Sequence, residues 1–336
     1  KKAFGHLHEA LDLVEKMDGR WWRSRIWLEM GILYLKQNEP EGINLAESLF
    51  RESLAEFKQM GVNGYPDLIL DKLHRVKSIS REQAIAHHKI SKELAEAGRV
   101  QHTFIPAEPP QIEGFDISSI LLSAHETSGD FFDFIELEED KSGIVIADVG
   151  DKGVGAALYM AMCRTLIRTY AGEHHLDPSE VIENVNRRIL TDTRRGIFLT
   201  LVFGVLDPKD STFTYVNAGH NPPYYLKKTQ QGLDIIALEK TGTLVGIFPE
   251  STWEVRKINI NPGEILVLYT DGITEAQDGS GDFYGNERLI KTLETCFTQP
   301  AEQYRNRILA NVRSFSGSTP RLDDVTLIVI CRDGYV

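Results

Sequence analysis

The sequence predicts an α+β protein: an all-α N-terminal region, then a domain of packed, mostly antiparallel sheet with flanking helices. Three observations carry that prediction. Before Pro106 the apolar residues recur at helical spacing, β-branched alternation is scarce, and proline occurs only at Pro40 and Pro66. After Pro110, short β-rich runs appear, bounded by Gly, Asp, Asn and Pro. Several of these runs follow one another directly, which rules out a strict alternation of strand and helix about a parallel sheet.

Taken in order, Leu7, Ala10, Leu11 and Val14 mark a first helix, broken at Asp18-Gly19. Trp27, Met30, Gly31 and Tyr34 mark a second, ended by Asn38-Glu39-Pro40-Glu41-Gly42. Ala46, Phe50, Leu54 and Phe57 mark a third, stopped by Gly61. Trp-x3-Gly-x2-Tyr followed by Ala-x3-Phe resembles a tetratricopeptide repeat, in which a small Gly lets two helices approach and aromatics fill the groove. The spacing between Tyr34 and Ala46 is too long for a full match, so a plain helical hairpin is the alternative. Since such arrays need about three repeats, residues 1–64 read as the truncated end of one. The chain begins at Lys1, without Met or the apolar core of a signal peptide, so it is expected to be a fragment of something longer.

Residues 65–106 are expected to form a helical linker. Val76, Ile79, Gln83, Ala86, Ile90, Leu94, Ala97, Gln101 and Phe104 share one stripe with steps of three and four, a heptad pattern with a stutter. Two Gln and two Ala weaken the seam. It fits either a dimerising signal helix or a helix lying on the next domain. Pro106, Pro109 and Pro110 end it.

Residues 107–336 form the α+β domain. Its expected strands are FDISSILLSA, GIVIADV, TLVFGVLD, FTYVNAG, EILVLYT and VTLIVIC; helical patterns cover 154–171, 178–194, 286–297 and 301–315.

Lys plus Arg number 37 against 49 Asp plus Glu, a net charge of −12. Nucleic acid and anionic membrane surfaces need a basic patch, so neither is expected as the main partner. No apolar run reaches the ~18 residues of a membrane span. Cys163, Cys296 and Cys331 are odd in number, far apart and outside any CxxC, which fits reduced thiols in a cytoplasmic protein.

Chemistry concentrates in four acidic sites at strand ends or tight turns: Asp130 in ETSGDFFDF, Asp148 in IVIADVGDKG, Asp271 in LVLYTDGITEA and Asp323-Asp324 in RLDDVTLIVI. Singly, each is an ordinary turn former. Together, such groups would repel unless cations lay between them. Oxygen ligands without Cys or His favour Mg²⁺ or Mn²⁺ over Zn²⁺.

The segment from Arg99 to Cys331 resembles the SpoIIE/RsbU-type branch of the metal-dependent Ser/Thr protein phosphatases, the PPM superfamily. IPAEPPQIEGFDI, SGDFFDF, ADVGDKGVGAALYM, NAGHNPPYY, LYTDGITEA and DDVTLIVI carry the resemblance, in the family's order. It implies a sandwich of two antiparallel sheets flanked by helices, with two Mn²⁺ or Mg²⁺ ions at one end. By motif, Asp148 would bridge both ions, the Val149 carbonyl would be a ligand, and Asp130 would hold one ion directly or through water. Asp271 and Asp323 would complete the other side; Asp323 aligns with the family ligand, with Asp324 as the alternative. Asp148 and Asp130 are thus the expected catalytic centre. Such a pair of ions activates a water for in-line attack on phosphorus, with no covalent intermediate. The implied substrate is a phosphoserine or phosphothreonine on a STAS-type anti-sigma-factor antagonist, in a bacterial signalling pathway, and a homodimer through the linker is possible.

Two features depart from eukaryotic relatives. Asp148-Val149-Gly150-Asp151 lacks the His that follows the bridging Asp and its Gly, and no phosphate-binding Arg is evident. Lys152 is either a phosphate contact or a loop lysine at a helix start. Gly150 and Gly153 are expected to serve turn geometry and close approach. His220 in NAGHNP reads as a turn residue before a proton shuttle. His174-His175 reads as a solvated loop, His87-His88 as linker, and GTLVGIF as a tight turn and strand near the site. The competing reading is an inactive phosphatase-like scaffold binding partners through its helices. A two-metal nuclease is disfavoured by the acidic balance.

Overall fold

The computed structural model describes residues 2–17, 19–173, 177–193, 196–230, 232–295 and 299–334. Asp18, His174, His175 and Cys296 lie outside the described residues. The chain divides into two units, Lys1–Glu93 and Leu94–Val336. Among the described residues, no helix is long and apolar enough to cross a membrane.

The first unit is helical: α1 (Lys2–Lys16), α2 (Arg20–Gln37), α3 (Pro40–Gln59) and the start of α4 (Tyr65–His102). Its core gathers Leu28, Ile43, Ala46, Phe50, Phe57, Ile69 and Val76. A methyl on Gly31 would come within 2.6 Å of the Phe50 ring, so the missing side chain is what lets α2 and α3 approach. The α2–α3 break is tighter than the sequence predicts. Asn38 takes the left-handed conformation (φ 57) and Pro40 already opens α3. Proline fits there because a first-turn residue needs no backbone N–H. Gly42 therefore lies inside the helix, against Tyr34.

The second unit holds two five-stranded sheets. One has the order β1-β10-β9-β6-β7, the other β2-β3-β4-β5-β8. The strands are β1 (Phe115–Leu122), β2 (Phe131–Glu136), β3 (Ser142–Val149), β4 (Leu199–Asp207), β5 (Thr212–Ala218), β6 (Tyr224–Thr229), β7 (Gly232–Ala237), β8 (Arg256–Asn259), β9 (Ile265–Tyr269) and β10 (Val325–Arg332). The ladders between them are antiparallel. The main helices are α5 (Val154–Glu173), α6 (Pro178–Asp192), α8 (Gly285–Thr295) and α9 (Ala301–Ser316), with a short α7 (Asp271–Thr274).

Side chains alternate across a strand, so an unbroken apolar run must be covered on both faces. In β10, Ile328 and Ile330 join Ile144, Ile146, Val202, Phe213, Leu266 and Leu268 between the sheets. Leu327, Val329 and Cys331 face the other way, with Leu289 of α8 and Ile308 of α9. Val145 and Ala147 of β3 likewise pack with Met160, Cys163, Val185 and Ile189 of α5 and α6. The unit is a sandwich with helices on both outer faces, the fold predicted.

Six of the strands match predicted runs. β2, β6, β7 and β8 do not, and each has a local reason. β6 follows two prolines, β7 and β8 half-bury alternate residues and fully bury none, and β2 carries Asp133 mid-strand. Asp133 is only 1% exposed, yet Arg168 Nη1 donates to both of its oxygens (2.7 and 2.8 Å) and Arg164 Nε lies 3.1 Å away. This pairing fastens α5 to β2. Asp133→Ala would leave two partly buried guanidinium groups without a counter-charge. A loss of about 2–3 kcal/mol is expected, below the full buried-pair value because Arg168 is partly exposed, and urea unfolding would measure it. GTLVGIF forms no strand. It contributes isolated bridges at Gly242 and Val245, because Gly246 is tucked against Tyr159 and takes a positive φ.

Candidate metal centre

The inter-sheet faces define where the acidic groups go. On β3, Asp148 follows Ile144 and Ile146 on the inward face. The β2–β3 register pairs Phe131 with Ala147, which sets Asp130 beside Asp148. On the other sheet, Leu327 pairs with Tyr269, which brings Thr270 beside Thr326 at the same rim. Polar residues thus replace the apolar core at one end of the sandwich. Thr270 Oγ1 and Thr326 Oγ1 both donate to Asp130 Oδ2 (2.6 and 2.7 Å), joining the two sheets there.

Asp271 opens α7 directly after Thr270, and Asp323 lies just before β10. A methyl on Gly272 would overlap the Asp324 carbonyl oxygen, so the Asp-Gly pair is what lets these two turns meet. Asp324 is buried and fully engaged. Its Oδ1 accepts from the Ala124 N–H (2.7 Å), and its Oδ2 accepts from Ser128 Oγ (2.7 Å) and the Gly129 N–H (3.0 Å). Asp323 is half-exposed and accepts from Lys152 Nζ at 2.8 Å. The Val149 carbonyl accepts from the Asp151 N–H (2.6 Å), and a methyl on Gly129 would come within 3.2 Å of its oxygen. Gly150 leaves room for the Phe198 ring, and Gly153 has φ 77, a conformation that glycine adopts freely.

A cleft of about 290 Å³ opens here, lined among others by Asp148, Val149, Gly150, Lys152 and Asp323. Asp130 lies beneath it. A larger groove of about 1200 Å³ lies at the opposite ends of β2 and β3, around Glu136, Lys141 and Arg168. It contains none of these aspartates, and Lys141 and Arg168 are already paired within the domain.

The carboxylates hold their protons unusually tightly. Burial, then the Asp148 charge, raises Asp130 well above the ordinary carboxylate range. Burial, then the charges of Asp271 and Asp323, pushes Asp148 up to about 7. Burial, then Glu275 and Asp323, raises Asp271 as well. In all three, burial is the larger cause and the charge of neighbouring carboxylates the next. Among the described residues, no three His, Cys, Asp or Glu side chains close into a ready-made ligand shell. The donor set nevertheless fits hard divalent cations in chemistry, being entirely carboxylate and carbonyl oxygen.

His220 is buried and pushed down to about 4 by that burial, so it is neutral near pH 7. Its Nδ1 is hydrogen-bonded to Thr200 Oγ1 (2.8 Å) and its N–H donates to Asn217 Oδ1 (2.9 Å), as befits a turn residue. Thr270, Thr326 and Ser128 were not singled out by sequence. The only signal was a hydroxyl at the end of an apolar run.

The family model of Stage II sporulation protein E (SpoIIE) matches residues 138–333. Protein IcfG of Synechocystis sp. is 32% identical over 271 residues, covering 72% of this chain but 42% of IcfG, so the chain spans less than half of that relative. Phosphoserine phosphatase RsbU of Bacillus subtilis is 30% identical over 244 residues, covering 73% of this chain and 71% of RsbU. Among solved structures, the SiaA-PP2C domain of Pseudomonas aeruginosa superposes with a TM-score of 0.66 at 19% identity, covering 74% of this chain and 100% of that one, a likeness of fold.

Proposed function

Since this chain belongs to the SpoIIE family, we propose that it is a metal-dependent protein-serine/threonine phosphatase. The observation that carries the reading is the convergence of four strand-end aspartates at one rim of the sandwich, with the proton affinities of Asp130, Asp148 and Asp271 raised by burial and then by neighbouring carboxylate charge. Asp130, Asp148, Asp271 and Asp323, with the Val149 carbonyl, would hold Mn²⁺ or Mg²⁺ ions, two by the family resemblance, which when bound supply charge neutralisation and an activated water. Thr270 and Thr326 fix the Asp130 carboxylate. Asp324 is committed to loop 123–130, which favours Asp323 as the ligand of the pair. Among the described residues a cysteine nucleophile is disfavoured, because Cys163 and Cys331 are buried and burial raises both thiols, Cys331 to about 12.

Lys152 is the exposed cation on the cleft wall, and we assign it to the substrate phosphate. Lys152→Ala is expected to raise the KM for a phosphoserine peptide about tenfold with little change in kcat. Initial rates at saturating Mn²⁺ would check this; an unchanged KM would leave Lys152 a loop residue.

The substrate class proposed, following the resemblance, is a phosphorylated STAS-type anti-sigma-factor antagonist in the cytoplasm of a bacterium. The helical region would receive the regulatory input; removal of residues 1–93 without effect on turnover or Mn²⁺ affinity would refute that. On α4, Ile90, which lies on the stripe from Val76 to Phe104, is 57% exposed, which supports pairing with a second copy along this helix. Sedimentation equilibrium showing only monomer at micromolar concentrations would remove the dimer.

The decisive assay is hydrolysis of a phosphoserine peptide by the whole chain, with Mn²⁺ and with EDTA. Turnover that EDTA abolishes supports the phosphatase. Absence of turnover on phosphoserine and phosphothreonine substrates would turn the reading toward a phosphatase-like scaffold.

A further inference from the structure

We infer that Gln101 is a positioning residue, through which the last turns of α4 hold the loop that carries the acidic centre. The observations lie within the unit Leu94–Val336. Gln101 is 6% exposed, and both ends of its amide serve one residue. Gln101 Nε2 donates to the Ser128 carbonyl (2.5 Å), and the Ser128 N–H donates to Gln101 Oε1 (2.9 Å). One turn earlier, a methyl on Gly98 would overlap the Glu126 carbonyl oxygen, so the helix backbone itself rests on the loop.

Residues 123–130 form no helix or strand, and a buried irregular segment must find partners for its backbone elsewhere. Gln101 supplies both for Ser128 from one side; from the other, Asp324 accepts from the Ala124 and Gly129 N–H groups and from the Ser128 hydroxyl. Two hydrogen bonds therefore separate α4 from the Asp324 carboxylate, and one residue of chain, Gly129, separates Ser128 from Asp130. Asp324 in turn adjoins Asp323. A small rotation or slide of the last turn of α4 would break the paired amide bonds and shift this loop. Ligand groups tolerate only about 0.5 Å of misplacement, so such a shift lowers cation affinity without touching a ligand. The role in cation binding rests on the metal-centre reading above; the hold on the loop does not.

The test uses the whole chain with Gln101→Leu, which removes the amide, and Gln101→Glu, which keeps the acceptor and loses the donor. Mn²⁺ titration calorimetry, amide hydrogen exchange across 123–130 and p-nitrophenyl phosphate kinetics are the readouts. Gln101→Leu is expected to weaken Mn²⁺ binding about tenfold or more, to speed exchange at Ser128 and Gly129, and to lower kcat while KM at saturating Mn²⁺ changes little. Gln101→Glu should fall between it and the native chain, and carries the test alone if the Leu variant does not fold. Native exchange at Ser128 and Gly129 in the variants overturns the proposal; so does faster exchange with Mn²⁺ affinity unchanged. If the native chain itself takes up no Mn²⁺, the metal-centre reading falls, and exchange alone then decides whether Gln101 holds the loop.

Discussion

Asp148→Asn is expected to reduce Mn²⁺-dependent hydrolysis of a phosphoserine peptide by about a thousandfold or more, a barrier increase of about 4 kcal/mol. Asp148 is the point where the charges of the site meet. It lies at the inward rim of β3, beside Asp130 in the ladder, with the charges of Asp271 and Asp323 acting on it. The amide keeps the shape and removes the negative charge, so it can no longer balance a divalent cation. Folding should not suffer, because the substitution also removes like-charge crowding. The metal-free variant is therefore expected to melt at or above the native temperature while losing turnover. A variant that kept activity within tenfold, with the same Mn²⁺ dependence, would place the reaction elsewhere.

The second large effect is on stability. With EDTA present, the protein is expected to be more stable at pH 5.5 than at pH 8, by about 1–2 kcal/mol. The sign follows from proton binding. Asp148 titrates near 7 in the folded chain against a reference of 3.8, so the folded state holds this proton more tightly than the unfolded one. Its contribution is complete below pH 4 and is lost as pH rises through 7. Asp130 and Asp271 are raised too and act in the same direction. The upper figure is the part of the Asp148 shift that lies between pH 5.5 and its folded value near 7, about one and a half pKa units at 1.4 kcal/mol each; the lower allows for solvent reaching Asp148 at the cleft wall. Urea midpoints at the two pH values would measure it. Asp148→Asn and saturating Mn²⁺ should each flatten the dependence. Equal midpoints, or a higher one at pH 8, would mean that the carboxylates are not crowded against one another.

Much of this protein is legible in its sequence, for reasons that can be named. VTLIVIC and TLVFGVLD are unbroken apolar runs because both of their faces are covered, by the other sheet and by helices. The helices of the α+β domain announce themselves by period, and the Trp27–Gly31–Tyr34 and Ala46–Phe50 spacing announces the close helix pair. The strands that escape are those whose signal is diluted. β7 half-buries alternate residues and fully buries none, and β2 contains a charged residue whose partners, Arg164 and Arg168, lie on α5, beyond the next strand.

The acidic motifs were visible one by one, as polar residues closing apolar runs. Their meeting was not, since it depends on which strands pair and in what register. Asp130 and Asp148 become neighbours through the Phe131–Ala147 pairing, and Thr326 reaches Asp130 across 196 positions of chain. The same holds for Gln101, which in sequence is one more residue on a helical stripe and in the fold is bonded to Ser128. Period and composition are local properties, so the sequence alone determined the elements, the covered faces and the family motifs. The bonding of Asp324 to loop 123–130 and of Asp323 to Lys152, the threonines that hold Asp130, and the seating of the last turns of α4 on the loop were decided only by tertiary structure, because a hydrogen bond is set by where its partner lies in space.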